Sequence, residues 1–278
     1  MDNRILLIEQ AIAEDLGDGD HTSLATIPEH VTGKMKLLVK EDGIIAGVDI
    51  AEMVFQKIDP GLKMEILLSD GAEVKRGDLV FFVSGRCRSM LMAERTMLNF
   101  MQRMSGIATS TNKYVKMLEG THALLLDTRK TTPNMRIFEK MAVVIGGGVN
   151  HRMGLYDMVM IKDNHVDFAG GIKQAILAEH NYLDRLGKKL KIEIEVRNFD
   201  ELNEVLITGG VDRIMLDNFT PHDLKKAVDI IGNRFETEAS GGIKLDNIRE
   251  YALTGVDYIS VGATTHHIKS LDLSLKAV

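Results

Sequence analysis

Cationic side chains collect in two short segments of the chain, DTRKTTP at 127–133 and GGGVNHRMGLYDMVMIKDNH at 146–165. Most of them lie beside small or turn-forming residues and not along an amphipathic helix. The cations are Arg129, Lys130, His151, Arg152 and Lys162. Because the whole chain has a net charge of −6, this local concentration predicts a pocket for a small anion and not a basic surface.

Composition limits the class of protein before any motif is considered. The chain has 278 residues, 45% of them hydrophobic, which is enough to bury a sizeable core in one large domain or two modest ones. Its single cysteine, Cys87, excludes an internal disulfide framework and a zinc site of several thiolates. Apolar runs stay below the roughly 18 residues of a membrane-spanning helix, and the first residues lack a signal-peptide pattern. We expect a cytoplasmic protein that binds neither nucleic acid nor membrane.

The first part of the chain combines helical and strand-like patterns. Apolar residues at helical spacing predict a helix over 3–16, and short apolar runs separated by Gly, Asp and Pro predict a small β-rich domain over 31–85. A long helix over 90–108 follows, and its methionine-rich stripe is expected to pack in the core. Arg95 belongs to a polar row on another face of this helix, which taken alone favours a solvated position.

After residue 120, apolar runs alternate with stretches of helical pattern. The expected strands are ALLLD, MVMIKD, KIEIEV, RIMLDN, FETEAS and YISVGA. The expected helices cover residues around 167–180, 199–209, 221–231 and 245–254. The last strands recur at similar intervals, as expected for one strand plus one helix. The pattern predicts either a parallel (β/α) barrel or a doubly wound sheet.

The expected strands end in polar residues, and in either architecture these ends meet at one edge. The groups at the ends are Asp127 to Lys130, Lys162 and Asp163, Glu195, Asp217, Ser240 to Gly242, and Gly262. Charge at successive strand ends is costly without ligands, which indicates a shared active site. Glu195 and Asp217 can approach a phosphate if hydrated Mg²⁺ lies between them, and they can also bind ribose hydroxyls or stabilise positive charge on a sugar.

Glycine-bearing motifs, SGGI and SVGA, close the last two strands. This position in barrels often binds phosphate through backbone N–H groups, and glycine lets the anion approach closely. Together with the carboxylates, the two motifs indicate a phosphorylated sugar as ligand.

The histidines and one lysine raise other chemistries. The candidate zinc ligands are His151, His165, His266 and His267. They lack a compact ligand spacing and a thiolate partner, so zinc is not expected. His151 beside Arg152 is better interpreted as part of the anion pocket. Lys162 at the end of an apolar strand is also what a Schiff-base lyase would show, and this alternative stays open.

The motifs, in their order along the chain, resemble those of the quinolinate phosphoribosyltransferases, also called nicotinate-nucleotide pyrophosphorylases. They are DTRKTTP, GGGVNHRMGLYDMVMIKDNH, IEIEV, IMLDN, EASGGI and VDYISVGATTH, with EDLGDGDHTS and LMAERTMLNFMQRMSGIAT upstream. The resemblance covers nearly the whole chain. It implies a reaction of quinolinate with phosphoribosyl pyrophosphate, using magnesium, that yields nicotinate mononucleotide, pyrophosphate and carbon dioxide in de novo NAD biosynthesis.

The resemblance also implies a fold of the α/β class. A β-rich N-terminal α/β sandwich domain is expected over 1–110 and an irregular parallel (β/α) barrel over 111–266, with the tail 267–278 packed on the first domain. Subunits of the family pair head to tail, so that the first domain of one covers the barrel mouth of the other. A homodimer with shared active sites is implied, alone or within a hexamer. Arg95 then enters the partner's site and is not simply solvated.

Site residues follow from matching the chain to the family's motifs. The positions that match its quinolinate site are Thr128, Arg129, His151, Arg152, Lys162 and Arg95 of the partner subunit. The positions that match its phosphoribosyl and pyrophosphate site are Lys130, Asp163, Glu195, Asp217, Ser240, Gly241, Gly262 and His266. The implied catalytic groups are Lys130, Lys162, Glu195 and Asp217. Glu195 and Asp217 are also the implied metal ligands, directly or through water.

Two positions depart from the family's pattern. Asn134 stands where glycine usually follows TTP, and asparagine tolerates the left-handed backbone that this turn needs. Arg197 stands where an acidic residue is more usual, which changes the charge near Glu195. Besides the Schiff-base lyase, the alternatives are a related pyrophosphorylase for another acidic heterocycle and a nucleotide sensor that releases no carbon dioxide.

Overall fold

A computed structural model describes residues 3–278 of the protein. The helices are α1 (Asn3–Leu16), α2 (His21–Thr26), α3 (Val48–Ile58), α4 (Cys87–Met117), α5 (Arg136–Ile145), α6 (Asp163–Ala169), α7 (Ile172–Leu186), α8 (Phe199–Thr208), α9 (Pro221–Ile231), α10 (Ile248–Ala252) and α11 (Ala263–His266), with a 3₁₀ turn at Gly232–Arg234. The strands are β1 (Thr32–Val39), β2 (Gly43–Ile44), β3 (Lys63–Ile66), β4 (Glu73–Val74), β5 (Leu79–Arg86), β6 (Leu124–Leu126), β7 (Val159–Ile161), β8 (Ile192–Val196), β9 (Arg213–Asp217), β10 (Glu236–Ser240), β11 (Tyr258–Ser260) and β12 (Leu273–Ala277). Residues 1 and 2, which begin the expected first domain, lie outside the described range.

Two compact units make up the part of the chain that the structure describes, and each combines segments that are separate in sequence. Among the described residues, the first unit comprises 3–112 together with 131–147 and 264–278, and the second comprises 113–130 and 148–263. Each unit has a buried hydrophobic cluster of its own. The first unit therefore takes in α5 and the last strand, although both are distant from it in sequence.

The first unit contains a four-stranded antiparallel sheet in the order β12-β1-β5-β3. Strand β1 shows why it forms: Met35, Leu37 and Val39 face the core and alternate with the only partly buried Lys36 and Leu38. Helix α3 interrupts the segment for which the sequence predicts a β-rich pattern. Its buried side chains, Val54 and Phe55 among them, recur at helical spacing, so an amphipathic helix is favoured despite β-branched residues.

Helix α4 carries the methionine-rich stripe, and its predicted place in the core is confirmed. Met90, Met97, Met101 and Met104 are each at most 1% exposed. Unbranched methionine side chains fill irregular gaps between the helix and its surroundings. Arg95 is exposed on another face of the helix.

The second unit contains six parallel strands in the order β6-β11-β10-β9-β8-β7. All six correspond to the predicted apolar runs. Strands β7 to β11 follow one another in chain order and β11 pairs with β6, which is the order of a barrel, whereas a doubly wound sheet reverses direction at a switch point. The order begins at β6 and ends at β7, so the barrel is irregular between these two strands.

Side chains of these strands alternate between two environments. In β8, Ile192, Ile194 and Val196 belong to the hydrophobic cluster that the helices share. Glu193 and Glu195 lie on the opposite face of the sheet. In β8 the face away from the helices is therefore acidic, and its second carboxylate, Glu195, lies near the carboxyl end of the strand.

Candidate active site

The carboxyl ends of four neighbouring strands carry polar side chains that the sequence analysis singled out. Lys162 follows β7, Glu195 lies in β8, and Asp217 and Ser240 end β9 and β10. Ser240 pairs with Asp217 in the strand register, so these groups share one edge of the sheet. Lys162 Nζ donates a hydrogen bond of 3.1 Å to Glu195 Oε2. The edge therefore holds charges of both signs in direct contact.

A local turn fixes the Asp217 carboxylate. Asn218 has a left-handed backbone with a φ of 58°, and its Nδ2 donates to Asp217 Oδ2 at 2.5 Å. The Asn218 backbone N–H donates to the Ser240 carbonyl at 2.8 Å. Burial raises the pKa of Asp217, while the charge of Lys162 opposes that shift. A second cation, in addition to Lys162, would therefore stabilise the ionised Asp217 carboxylate.

Gly241 provides the room for this turn. A Cβ atom at Gly241 would lie 2.2 Å from Asn218 Oδ1, and the φ of Gly241 is +94°. Glycine meets both constraints without strain. The sequence predicts Gly241 near phosphate; the structure adds that Gly241 leaves space for Asn218 beside Asp217.

The segment after β6 forms a tight turn around Thr128. The Lys130 backbone N–H donates to Thr128 Oγ1 at 3.0 Å, and the side chains of Arg129 and Lys130 are exposed. Asp127, directly after β6, is fully buried and accepts from the His151 backbone N–H at 2.8 Å. The cationic turn is thereby joined to the loop that carries His151.

Arg152, next on that loop, is largely enclosed at 9% exposure. Its Nη1 donates to the Met158 carbonyl at 3.3 Å. Burial and the charge of Arg129 lower the pKa of Arg152. Two guanidinium groups that repel each other in a partly dry site favour the binding of an anion beside both.

Two carboxylates that the sequence analysis did not single out contact this loop. Glu193 in β8 and Glu238 in β10 are fully buried, with Oε2 atoms 2.8 Å and 3.3 Å from His151 Nε2. Burial and the charge of Glu238 raise the pKa of Glu193 to about 7. Burial disfavours the charged form of His151, whereas the two carboxylates raise its pKa. Because an imidazolium has no acceptor nitrogen, the hydrogen bond that Nδ1 accepts from the Arg152 backbone N–H at 2.7 Å identifies the ring as neutral.

Arg213 in β9 completes the buried cluster. Its Nη1 donates to Glu238 Oε2 at 3.0 Å, and its Nη2 donates to Glu236 Oε2 at 3.0 Å. Ligand atoms of His151, Glu193 and Glu238 lie within 4.8 Å of one another, as in a metal site. Because Arg213 already pairs with Glu238 Oε2, we assign the cluster as an ion-pair network and not as a metal centre.

The other histidines considered as zinc ligands have different contacts. His165 Nδ1 accepts from the Lys162 backbone N–H at 2.9 Å and caps the start of α6. The rings of His266 and His267 contact each other, with centroids 4.4 Å apart.

Two family profiles match this chain. The one described as "Quinolinate phosphoribosyl transferase, N-terminal domain" matches residues 20–105, and the one described as "Quinolinate phosphoribosyl transferase, C-terminal domain" matches residues 107–276. The chain belongs to the quinolinate phosphoribosyltransferase family.

Relatives of this chain include plant and bacterial proteins. "Quinolinate phosphoribosyltransferase [decarboxylating] 1b" of Nicotiana tabacum is 47% identical over 286 residues, which cover 97% of this chain and 81% of that protein. "Probable nicotinate-nucleotide pyrophosphorylase [carboxylating]" of Bacillus subtilis (strain 168) is 38% identical over a match that covers 97% of this chain and 91% of that protein. The solved nicotinate-nucleotide pyrophosphorylase of Francisella tularensis has a TM-score of 0.92 at 42% identity, over 100% of this chain and 96% of that chain. The predicted α/β fold of the family is confirmed.

The predicted site residues of this family member are divided between the two units. Most belong to the second, where Asp163 begins α6 and Gly262 follows β11. Arg95 and His266 belong to the first unit. Their predicted roles stay predictions.

Both departures from the family's pattern have a structural account. Asn134 has a φ of 64°, which confirms that asparagine accommodates a left-handed turn at this position. Arg197 pairs with Asp167 at 3.2 Å and with Glu201 at 2.7 Å. Its charge is thus met by two carboxylates of its own surroundings.

The buried residues Glu193, Arg213 and Glu238 were not predicted, because they precede the polar carboxyl ends of their strands. Their signal is the two-residue alternation within IEIEV, RIMLD and ETEAS. Each of these strands places a charged residue two or four positions before the polar residue that faces the site.

Proposed function

We propose that this protein converts quinolinate and phosphoribosyl pyrophosphate to nicotinate mononucleotide, pyrophosphate and carbon dioxide in de novo NAD biosynthesis. Membership of the family supports this reaction. The structural observation that carries it is the enclosed Arg152, whose pKa is lowered by burial and by the charge of Arg129. A pair of neighbouring arginines matches a substrate with two adjacent carboxylates.

Quinolinate binding rests on this pair in the second unit. Arginine can form two parallel hydrogen bonds to one carboxylate, so Arg129 and Arg152 together fix both the charge and the ring plane of a dianion. Thr128, His151 and Lys162 complete the proposed pocket. A monocarboxylate would leave one guanidinium without its partner.

The phosphoribosyl donor is assigned to the opposite part of the strand edge. Lys130, Asp163, Ser240, Gly241, Gly262 and His266 are the proposed contacts for its ribose and phosphate groups. Glu195 in β8 and Asp217 at the end of β9 lie in neighbouring strands and offer the carboxylate oxygens that Mg²⁺ prefers. Burial raises the pKa of Asp217, a cost that a divalent cation would relieve. These two residues would hold Mg²⁺ directly or through water, and the bound ion would supply positive charge to the pyrophosphate.

The chain's own residues then account for ribosyl transfer. The pyridine nitrogen attacks C1 of the ribosyl group, and the bond from C1 to pyrophosphate breaks. Positive charge develops on the sugar in the transition state, and the Glu195 and Asp217 carboxylates stabilise it. Lys130 and Lys162 meet the negative charge of the departing pyrophosphate.

Loss of carbon dioxide follows from the product of that first step. The ribosylated ring nitrogen is cationic, so the electron pair released by cleavage of the bond between C2 and its carboxylate is stabilised by the adjacent positive charge. C2 then takes a proton. Exclusion of water strengthens the electrostatic contribution of Arg152 and of the other charges in the pocket.

A homodimer with shared active sites, alone or within a hexamer, is part of the proposal. Arg95 is exposed on α4, and it would enter the site of the partner subunit. We also propose a cytoplasmic location. The helices formed by residues 3–278 are all too short or too polar to cross a bilayer.

The deciding experiment measures labelled carbon dioxide released from quinolinate carrying the label in its C2 carboxylate. Release that requires both phosphoribosyl pyrophosphate and Mg²⁺ is expected. Binding of phosphoribosyl pyrophosphate without release would indicate a nucleotide sensor. Covalent trapping of substrate on Lys162 by borohydride would indicate a Schiff-base lyase. Turnover of another acidic heterocycle in preference to quinolinate would indicate a related pyrophosphorylase.

A further inference from the structure

The loop that recognises the substrate's carboxylates is connected to the buried carboxylates through one imidazole. His151 Nε2 lies 2.8 Å from Glu193 Oε2 and 3.3 Å from Glu238 Oε2. On the other side of the ring, Nδ1 accepts from the Arg152 backbone N–H at 2.7 Å. An acceptor at Nδ1 places the ring hydrogen on Nε2, facing the carboxylates. The imidazole therefore links two rigid strands to the backbone of Arg152.

The carboxylates are themselves held in place. Arg213 Nη1 donates to Glu238 Oε2 at 3.0 Å, and the guanidinium lies 4.0 Å from the centroid of the Tyr258 ring. Both Glu193 and Glu238 are fully buried within strands. A buried pair or triad of charges seldom stabilises a fold more than well-packed apolar residues would. Stability alone therefore does not explain why these charged residues are buried here.

We propose that Glu193 and Glu238 are positioning residues for the carboxylate-recognition loop, and that they act through His151 to hold Arg152 in the geometry that binds a dianionic ring. The proposal rests on the proposed function for the identity of that ring. Two residues inside strands thereby contribute to substrate selection, in addition to the residues at the strand ends. Side chains that bind a ligand from a loop need such support, because an error of about 1 Å weakens a forked hydrogen-bonded pair.

The first test replaces each carboxylate by an amide of the same shape, Glu193→Gln and Glu238→Gln. We expect the KM for quinolinate to rise about 10-fold or more, because partners that orient a ligand-binding side chain typically have effects of that size. The KM for phosphoribosyl pyrophosphate should stay near the wild-type value. Asp59→Asn is the matched control: Asp59 is also buried and accepts from Arg86 Nε at 2.8 Å, but it lies in the first unit, far in sequence from the loop.

A double-mutant cycle tests whether the carboxylates act through the imidazole. His151→Asn removes the link, so adding Glu193→Gln to it should raise the KM for quinolinate no further. Additive effects would overturn the proposal, because they would show that Glu193 acts by another route. An unchanged KM for quinolinate in folded Glu193→Gln and Glu238→Gln would overturn it as well, and so would an equal rise for both substrates.

Wild-type protein provides a test that does not depend on the folding of variants. Nitrogen-15 NMR of labelled histidine, with His151 assigned by its loss in His151→Asn or by its proximity to Arg152, should show hydrogen on Nε2. Hydrogen on Nδ1, alone or together with hydrogen on Nε2, would overturn the proposed link. Failure of the proposed function has a different outcome, since the wild-type protein would then release no carbon dioxide from quinolinate whatever the tautomer of His151.

Discussion

Lys162 Nζ donates to Glu195 Oε2 at 3.1 Å, across two neighbouring parallel strands. The lysine side chain is 46% exposed and the glutamate side chain is 9% exposed. The pair therefore has one partner open to a ligand and one that is anchored in the sheet. An anionic substrate can share the ammonium group without removing it from Glu195.

Replacement of this lysine tests the role of the pair. Lys162→Met should lower kcat about 100-fold, in line with the loss of one positioned charge from an active site. Steady-state release of carbon dioxide is the measurement. Lys34→Met is the matched control, because Lys34 is 44% exposed and pairs with Glu65 at 3.0 Å outside the site. Equal losses in both variants would contradict a catalytic role for Lys162.

Arg152→Ala should affect the two substrates differently. We expect the KM for quinolinate to rise about 30-fold or more, the equivalent of about 2 kcal/mol for a lost ion pair in a dry site. The Kd for phosphoribosyl pyrophosphate, measured by calorimetry, should remain close to wild type. Arg249→Ala is the control: Arg249 also donates to a backbone carbonyl, that of Met117 at 3.0 Å, but it is not a predicted site residue. Equal weakening for both substrates would argue against separate pockets.

Gly241→Ala should disturb the Asp217 carboxylate. The added methyl group would meet Asn218 Oδ1 at 2.2 Å, so Asn218 must move and its hydrogen bond to Asp217 is lost. We expect kcat/KM to fall about 10-fold or more. Gly232→Ala introduces a similar backbone strain, at a φ of +60°, with no atom within 4 Å of the new methyl group. That control should lose about 1 kcal/mol of unfolding free energy and keep its activity.

The stability of the first unit should depend on pH through Asp59. The hydrogen bond from Arg86 outweighs burial and holds the pKa of Asp59 well below its usual value. A lowered folded-state pKa stabilises the protein above the unfolded-state pKa of about 3.9, and this contribution is lost as the pH falls below it. Asp59→Asn should therefore reduce the unfolding free energy by about 1–2 kcal/mol at pH 7, and the difference should shrink below about pH 4. Denaturant unfolding at several pH values measures it; a difference that grows in acid would refute this account.

Complementation tests the shared site. Arg95→Ala and Asp217→Asn should each be nearly inactive, but a mixed dimer of the two has one site with both native residues if Arg95 acts in the partner subunit. Co-expression with two affinity tags isolates the mixed dimer. We expect up to about half of the wild-type activity, from the one intact site of two. Inactive mixed dimers would place Arg95 and Asp217 in the same subunit's site.

Local sequence patterns predicted the strands of the second unit well, because each strand is a short apolar run followed by a polar residue. The same rule located Lys162, Glu195 and Asp217 at one edge of the sheet. It failed for Glu193 and Glu238, since charged residues inside a strand normally indicate a solvated face. Only the tertiary structure shows that the strand face with Glu193 and Glu238 is buried next to His151.

The composition of the first unit was beyond local patterns. Helix α5 and strand β12 are far from the N-terminal sheet in sequence. The hydrophobic periodicity of a segment predicts its secondary structure but not the unit to which it will belong. Helix α3 was missed for another reason: its Val, Ile and Phe residues favour strands by propensity, and their burial on one helical face decided the outcome.

Strand β12 covers one side of β1, with Leu273 opposite Val39 and Ala277 opposite Met35. A ribosome must therefore release residues 273–277 before the first sheet can be completed. Until then, the hydrogen-bonding edge of β1 on that side is open to other chains, and the second unit is synthesised in the meantime. Assembly of the first sheet thus waits for a strand that is made after the second unit, and the open edge of β1 exposes the nascent chain to aggregation throughout that interval.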